Sequence, residues 1–340
     1  MFDTKKIRMY QIPSASALVA SASATMAASP AIKLWLVRQS VLDIPNERSS
    51  HSVPTPRGGG LACAVGAVVG AMVGNRAGVK VSASWVGCSS MLGLVGRIDD
   101  IAGLDPYFRL GAQVSAGLAA GSKCGGAGGA LLGAASFPAI VNAFNFMDGI
   151  NGISGGTAAA WGMCLATDST LAPAVRLQGS IAAGMGLGFL PYNVPTASMF
   201  LGDVGSYLFG AGIAATVLEG SFSQGRLSLR AAVRVIAPIV PYLADTGTTI
   251  IRRAVRGDSV TAAHKEHAYQ RLMQESGWPH WRVAGLVTLS SAACGVAARR
   301  SPGLYAIAPL ACLYLLSPAL VNRGSLRYGL SETLPPSCGT

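Results

Sequence analysis

In a chain of 340 residues, 51% are hydrophobic and only 12% charged, and the mean hydropathy is +0.44. A soluble domain carries about 25% charged residues, so an ordinary soluble domain is excluded and a polytopic membrane protein is indicated. The 43 glycines show no three-residue period, which excludes collagen, and they suit helices that approach closely through small side chains. The net charge of +11 is scattered over connections between apolar blocks, a pattern that suits lipid head groups and phosphorylated substrates and not nucleic acid.

The expected fold class is all-α, a membrane helix bundle of about 10–11 transmembrane helices in a transferase domain over 37–322, with a weakly patterned segment 1–36 before it and a tail 323–340 after it. Lys5, Lys6 and Arg8 precede a Ser/Ala-rich stretch, as in a signal peptide, but the apolar ending IKLWL favours a weak first span over 12–36. Connection 37–59 follows and holds HSVPTPRGGGLA, from His51 to Ala62. Its prolines stiffen the loop, and Gly58, Gly59 and Gly60 permit unusual backbone angles. Apolar windows at 60–75 and 82–97 come next, and the second closes on GRIDD. Adjacent Asp99 and Asp100 repel each other and call for a cation; a divalent metal would supply it, and so could Arg97 and Arg109.

Windows at 110–122 and 128–145 lead into NAFNFMDGING. Its Asn142, Asn145 and Asp148 repeat every three residues, near one helical face, and Asn151 follows the breaker Gly149. Amides both donate and accept, which suits a base edge, and a carboxylate among them suits a metal or a phosphate proton. Windows at 153–167 and 177–192 precede LPYNVPTASMFLGDVGS, with Asn193, Phe200 and Asp203. Glycines flank Asp203, so backbone can approach a ligand there; a carboxylate in that place could also simply cap the next helix, 205–220. After 230–250, a basic loop over 251–281 carries His264 and His267, and windows 282–298 and 303–321 complete the set. The seven cysteines form no C-x-x-C pair and read as small apolar residues. Counted in order, every polar motif falls on one face of the membrane, and the opposite connections carry no clustered acids.

Together PNERSSHSVPTPRGGG, GRIDD, NAFNFMDGING, FLGDVGS and DTGTTIIRR resemble, in order and spacing, the polyprenyl-phosphate N-acetylhexosaminyl-1-phosphate transferase family, over roughly Leu42 to Trp281. The resemblance implies an enzyme of the bacterial cytoplasmic membrane whose active site faces the cytoplasm. It implies Mg²⁺, with Mn²⁺ as a substitute, and partners that are a UDP-N-acetylhexosamine, undecaprenyl or another polyprenyl phosphate and the bilayer, with a homodimer as an open assembly state. It assigns catalytic roles to Asp99, Asp100 and Asp148, the metal to Asp203 with Asn145, and the nucleotide sugar to Asn151, Asn193, Phe200 and His267. Tyr269 and Gln270 stand where peptidoglycan-precursor transferases carry further histidines, and Asn151 replaces their aspartate, so the form resembles transferases that initiate O-antigen or other surface polysaccharides. Intramembrane acids also suit a transporter, but no inverted repeat is evident and the acids gather at one surface.

Overall fold

A computed structural model describes residues 4–45, 52–259, 264–300 and 304–329. Ser49 and His51, and most of the C-terminal tail, lie outside the described residues. Among the described residues the fold is all-α apart from two short antiparallel pairs, Leu42–Asp43 with Thr55–Pro56 and Phe222–Ser223 with Arg226–Leu227. The helices are α1 (Thr4–Arg38), α2 (Gly60–Arg76), α3 (Ala83–Ala102), α4 (Pro106–Met147), α5 (Ile153–Ala166), α6 (Pro173–Asn193), α7 (Gly202–Ser221), α8 (Leu229–Ile236), α9 (Val240–Arg256), α10 (Ala268–Ser276), α11 (His280–Ala297) and α12 (Leu304–Gly329).

Most of these helices follow the apolar windows; α10 lies instead within the basic loop 251–281, α1 and α12 run beyond their windows, and there are two differences of form. The windows at 110–122 and 128–145 are the arms of α4, which reverses at non-helical Gly125 and Gly126. Gly117 faces Gly133 and Gly121 faces Gly129 so closely that a Cβ at any of them would stand about 2 Å from the opposing carbonyl oxygen. Gln113 and Asn142 exchange side-chain hydrogen bonds of 3.2 and 2.8 Å across the same hairpin, so Asn142 serves this turn and not the site. The second difference is that the window at 230–250 is broken, α8 passing through a 3-10 turn at Ala237–Ile239 into α9.

Helix α7 is the core of the bundle, buried over nearly its whole length and packed by α2, α3 and α4. Its contact with α2 is backbone on backbone, since a Cβ on Gly60 would lie 2.2 Å from the Cα of Gly205. α5 and α6 pair in the same manner, and α1 lies across α2 and α6. The Ser/Ala composition of α1 is explained by that packing. Ala17, Ser21 and Thr25 are fully buried, and the Ser21 hydroxyl donates to the Ile181 carbonyl at 3.1 Å. Among the described residues, Ser14–Arg38 and Pro106–Met147 are long and apolar enough to cross a membrane, and Gly60–Arg76 and Tyr305–Val321 are shorter apolar helices. The cysteine reading holds for Cys63, Cys88, Cys164 and Cys294, which are buried, and not for exposed Cys312.

Candidate active site

The segment Pro56–Gly60 is stitched to Phe200 and Leu201. Phe200 N donates to the Pro56 carbonyl at 2.8 Å, Gly58 and Gly59 both donate to the Phe200 carbonyl, and Gly60 donates to that of Leu201 at 2.8 Å. This stitch carries Arg57 to the start of α7. Its Nε meets Asp100 at 2.8 Å and its Nη2 meets Asp203 at 2.9 Å.

The two members of the GRIDD pair diverge. Asp99 accepts from Leu104 N at 2.7 Å and pairs with Arg109 at 2.8 Å, closing the turn into α4. Asp100, its side chain wholly buried, accepts from Asp203 N at 2.8 Å and Val204 N at 3.0 Å. It therefore caps α7 from a neighbouring helix, where a carboxylate also complements the positive end of the helix dipole. Gly202 makes this approach feasible: its φ is +75°, and a Cβ there would stand 2.8 Å from the Asp100 carboxylate.

With the capping task done by Asp100, Asp203 is not the cap of its own helix. One oxygen accepts from the Asn145 amide at 2.7 Å and the other from Arg57. Asn145 also donates to the Ser206 hydroxyl at 3.2 Å, which fixes the amide between α4 and α7. Asp148 follows the end of α4, in the connection beyond the apolar span. Burial pushes its carboxyl up to about 7, and the charge of Asp203 acts in the same direction. Beside Arg97, an apolar groove of about 620 Å³ runs between α2, α3 and α7, past Val68, Trp85, Leu94 and Leu208.

The residues expected at the nucleotide sugar sit around the same end of the bundle. Asn193, 8% exposed, accepts from Gly152 N at 2.6 Å and donates to the Met199 carbonyl at 3.1 Å, so it braces two turns. Asn151 donates from its amide to the Pro195 carbonyl at 3.1 Å, and half-buried Phe200 belongs to the stitch at Arg57. His267 is 3% exposed and its Nδ1 lies 3.1 Å from Asp245, so its ring is turned inward instead of standing free at the surface. His264 is half-buried, with its ring centroid 5.0 Å from that of His267. Burial lowers its pKa below the usual imidazole range.

Two residues of this site were not singled out from the sequence. Arg57 is the only charge inside PTPRGGG, and Asp245, the first residue of DTGTTIIRR, is the only acid in the apolar window 230–250; each carried that signal. No three His, Cys, Asp or Glu side chains converge as a metal-ligating group among the described residues.

The model of glycosyl transferase family 4 matches residues 82–221, which include Asp99, Asp100, Asp148 and Asp203. The chain is 30% identical over 306 residues to a decaprenyl-phosphate N-acetylglucosaminephosphotransferase of Mycolicibacterium smegmatis, covering 76% of this chain and 74% of that one. It is 27% identical over 292 residues to a probable undecaprenyl-phosphate N-acetylglucosaminyl 1-phosphate transferase of Bacillus subtilis, covering 80% and 79%. A phospho-N-acetylmuramoyl-pentapeptide-transferase of Acaryochloris marina is 31% identical over 173 residues, only 46% of this chain and 43% of its own. The chain is a member of glycosyl transferase family 4.

Proposed function

We propose that the protein transfers N-acetylhexosamine-1-phosphate from a UDP-sugar to undecaprenyl or another polyprenyl phosphate, releasing UMP and initiating O-antigen or another cell-surface polysaccharide. It does so as a multi-pass enzyme of the bacterial cytoplasmic membrane, with the motif end in the cytoplasm. The observation that carries this reading is the surplus of acid at one end of the bundle, where Asp99, Asp100, Asp148 and Asp203 share Arg57 and Arg109. The N-acetylglucosamine relatives match over three quarters of their length and the muramoyl-pentapeptide relative over less than half, which favours the first substrate class.

The reaction exchanges one phosphoanhydride for another. An acceptor phosphate oxygen forms a bond to the phosphorus next to the sugar, the bond to the bridging oxygen breaks, and UMP leaves with the electron pair. The acceptor is a monoester with a second pKa of about 6, so it needs no strong base at neutral pH. The side chains of Asp99 and Asp100 are 5% and 0% exposed, so we assign them to positioning: Asp99 sets the turn into α4, and Asp100 aims the N-terminus of α7. Asp203, at 16%, is the acid of the three that substrate can reach. The groove beside Arg97 suits an acceptor whose phosphate must reach the acids while its tail stays in lipid.

Mg²⁺ suits this donor set. It takes one or two carboxylates and fills its shell with water and substrate phosphate oxygens, so Asp203 with Asn145 is sufficient protein ligation. Bound there, it would offset the repulsion between two phosphorylated substrates and favour departure of UMP. The test is UMP release by purified protein from UDP-GlcNAc, UDP-GalNAc and UDP-MurNAc-pentapeptide, each with and without polyprenyl phosphate. Release from an N-acetylhexosamine donor that requires the acceptor is expected. Release without acceptor, or turnover of the pentapeptide donor alone, overturns the proposal. Movement of substrate across vesicles without UMP would instead establish a transporter.

A further inference from the structure

Asp245 lies in the middle of α9, fully buried, and receives more donors than any side chain of the acidic site. Its Oδ1 accepts from Ala268 N at 2.9 Å and faces His267 Nδ1 at 3.1 Å. Its Oδ2 accepts from the Tyr314 hydroxyl at 2.6 Å and Tyr269 N at 3.4 Å. Thr249, one turn along α9, approaches at 3.4 Å. The first backbone amides of a helix have no partner within it, and here a buried carboxylate from another helix supplies one to α10. The His267 backbone N–H donates to Gln270 at 3.3 Å and closes the same end.

What α10 does next gives this cap its meaning. Tyr269, also fully buried, stacks on His267 with ring centroids 5.8 Å apart and donates from its hydroxyl to the Phe146 carbonyl at 3.3 Å. That hydroxyl fills the space where a Cβ of residue 149 would stand, 2.1 Å away, so glycine at 149 admits it. Asp245 is thus joined through Tyr269 of α10 to the backbone on either side of Asp148. The carboxylate also fixes the histidine: with Nδ1–H directed at Asp245, the ring is held in one tautomer and one orientation.

We propose that Asp245 is the positioning residue of the large loop, setting His267 and the N-terminus of α10 against the Asn145–Asp148 segment so that the loop meets the nucleotide sugar in one orientation. This rests on the functional reading above together with the expectation that His267, in the loop 251–281, meets the nucleotide sugar. Removing one charge-assisted anchor corresponds to roughly 10- to 150-fold in the equilibrium it holds. Asp245→Asn is therefore expected to lower kcat/KM for the UDP-sugar by about 10- to 100-fold, mostly through KM. In a His267→Ala background the same change should cost less than about threefold, because residues acting through one another are not additive. Tyr314→Phe removes the α12 contact alone and should leave kcat/KM within about threefold if α10 is the part that matters.

Hydrogen exchange gives a reading independent of turnover. In the wild-type protein the amides of Ala268 and Tyr269 should exchange as slowly as those in the middle of α10, although they occupy its first turn, and Asp245→Asn should speed them. Fast exchange of these amides in the wild type overturns the proposal, even if the variant fails to fold. So do additive losses in the double variant, or a Tyr314→Phe loss equal to that of Asp245→Asn. Slow wild-type exchange together with no turnover of any UDP-sugar would leave the cap in place and defeat the functional reading, and with it the role proposed for the loop.

Discussion

Both ends of the bundle bury carboxylates beside arginines, yet they are built to opposite balances. At the far end Asp168 pairs with Arg234 at 2.9 Å, their side chains 6% and 10% exposed, and accepts from Thr170 N and its hydroxyl at 3.0 and 2.6 Å. Arg234 also donates to the Arg299 carbonyl at 3.1 Å, Arg299 donates to the Cys164 carbonyl at 2.6 Å, and Arg176 donates to that of Ala166 at 3.2 Å. There one acid pairs with Arg234, two further arginines stand nearby, and their donors close on backbone carbonyls, tying the ends of α5, α8 and α11 together. At the motif end four acids share two arginines. A surplus of cation at a helix end can be spent on carbonyl oxygens, which every helix C-terminus leaves unpaired. A surplus of buried carboxylate has no such outlet and calls for a further cation or a proton. The same residue types therefore make a clamp at one end and a site at the other.

The largest separation between the ends should come from chelation. Excess EDTA is expected to bring turnover to background, with Mg²⁺ or Mn²⁺ restoring it, while the melting temperature set by the far clamp changes little; full activity in EDTA would sink the metal assignment. Asp203→Asn should follow, lowering kcat by about 10²–10³-fold, the scale seen when a preorganised electrostatic partner of the reacting groups is removed, with normal purification. Near wild-type turnover would show that Asp203 only supports the fold.

Arg234→Ala should invert that pattern. It leaves Asp168 buried without its partner, a change that costs about 3–5 kcal/mol in stability, and the remaining folded enzyme should keep its kcat. A selective loss of kcat would erase the distinction between the ends. A smaller effect concerns Asp148. Its carboxyl, raised to about 7, holds a proton in the folded protein at pH values where the unfolded chain has released it. This contribution to stability is complete below the unfolded pKa of about 4 and is lost as pH rises through 7. Melting temperature should thus fall between pH 5 and 8 more steeply in the wild type than in Asp148→Asn; parallel curves would contradict the burial-driven shift. Last, in a background without exposed Cys312, Asp105→Cys and Ser259→Cys should label from the cytoplasmic side and Ser223→Cys from the other. Labelling of all three from one side would overturn the proposed sidedness.

Much of this architecture was legible because apolar helices advertise themselves by composition and their breaks by glycine and proline. Most window boundaries fell near helix ends, although α1 begins eight residues before its window and α12 ends eight residues after its own, and NAFNFMDGING carried too many polar groups for a helix end that needs one cap. Individual roles were harder to read. Asn142 and Asn145 share a motif and a residue type, yet one faces the second arm of its own hairpin and the other faces Asp203. His267 stood out as the histidine of a large loop, and only the packing of α9 shows that its ring is turned toward Asp245.

The sequence by itself determined the helical class, the order of the segments and the gathering of carboxylates and amides on one set of connections, since apolar runs and their interruptions are local properties of the chain. Only the tertiary structure decided which carboxylate does what. Asp99 and Asp100 are neighbours in sequence but lie about 100° apart around α3, so one turns to Arg109 and the other to the start of α7. Asp203 is released from capping its own helix because Asp100, more than a hundred residues earlier, takes that place through the gap left by Gly202. No pattern of spacing encodes that exchange; it depends on two helices packing closely enough for one to supply the hydrogen bonds the other lacks.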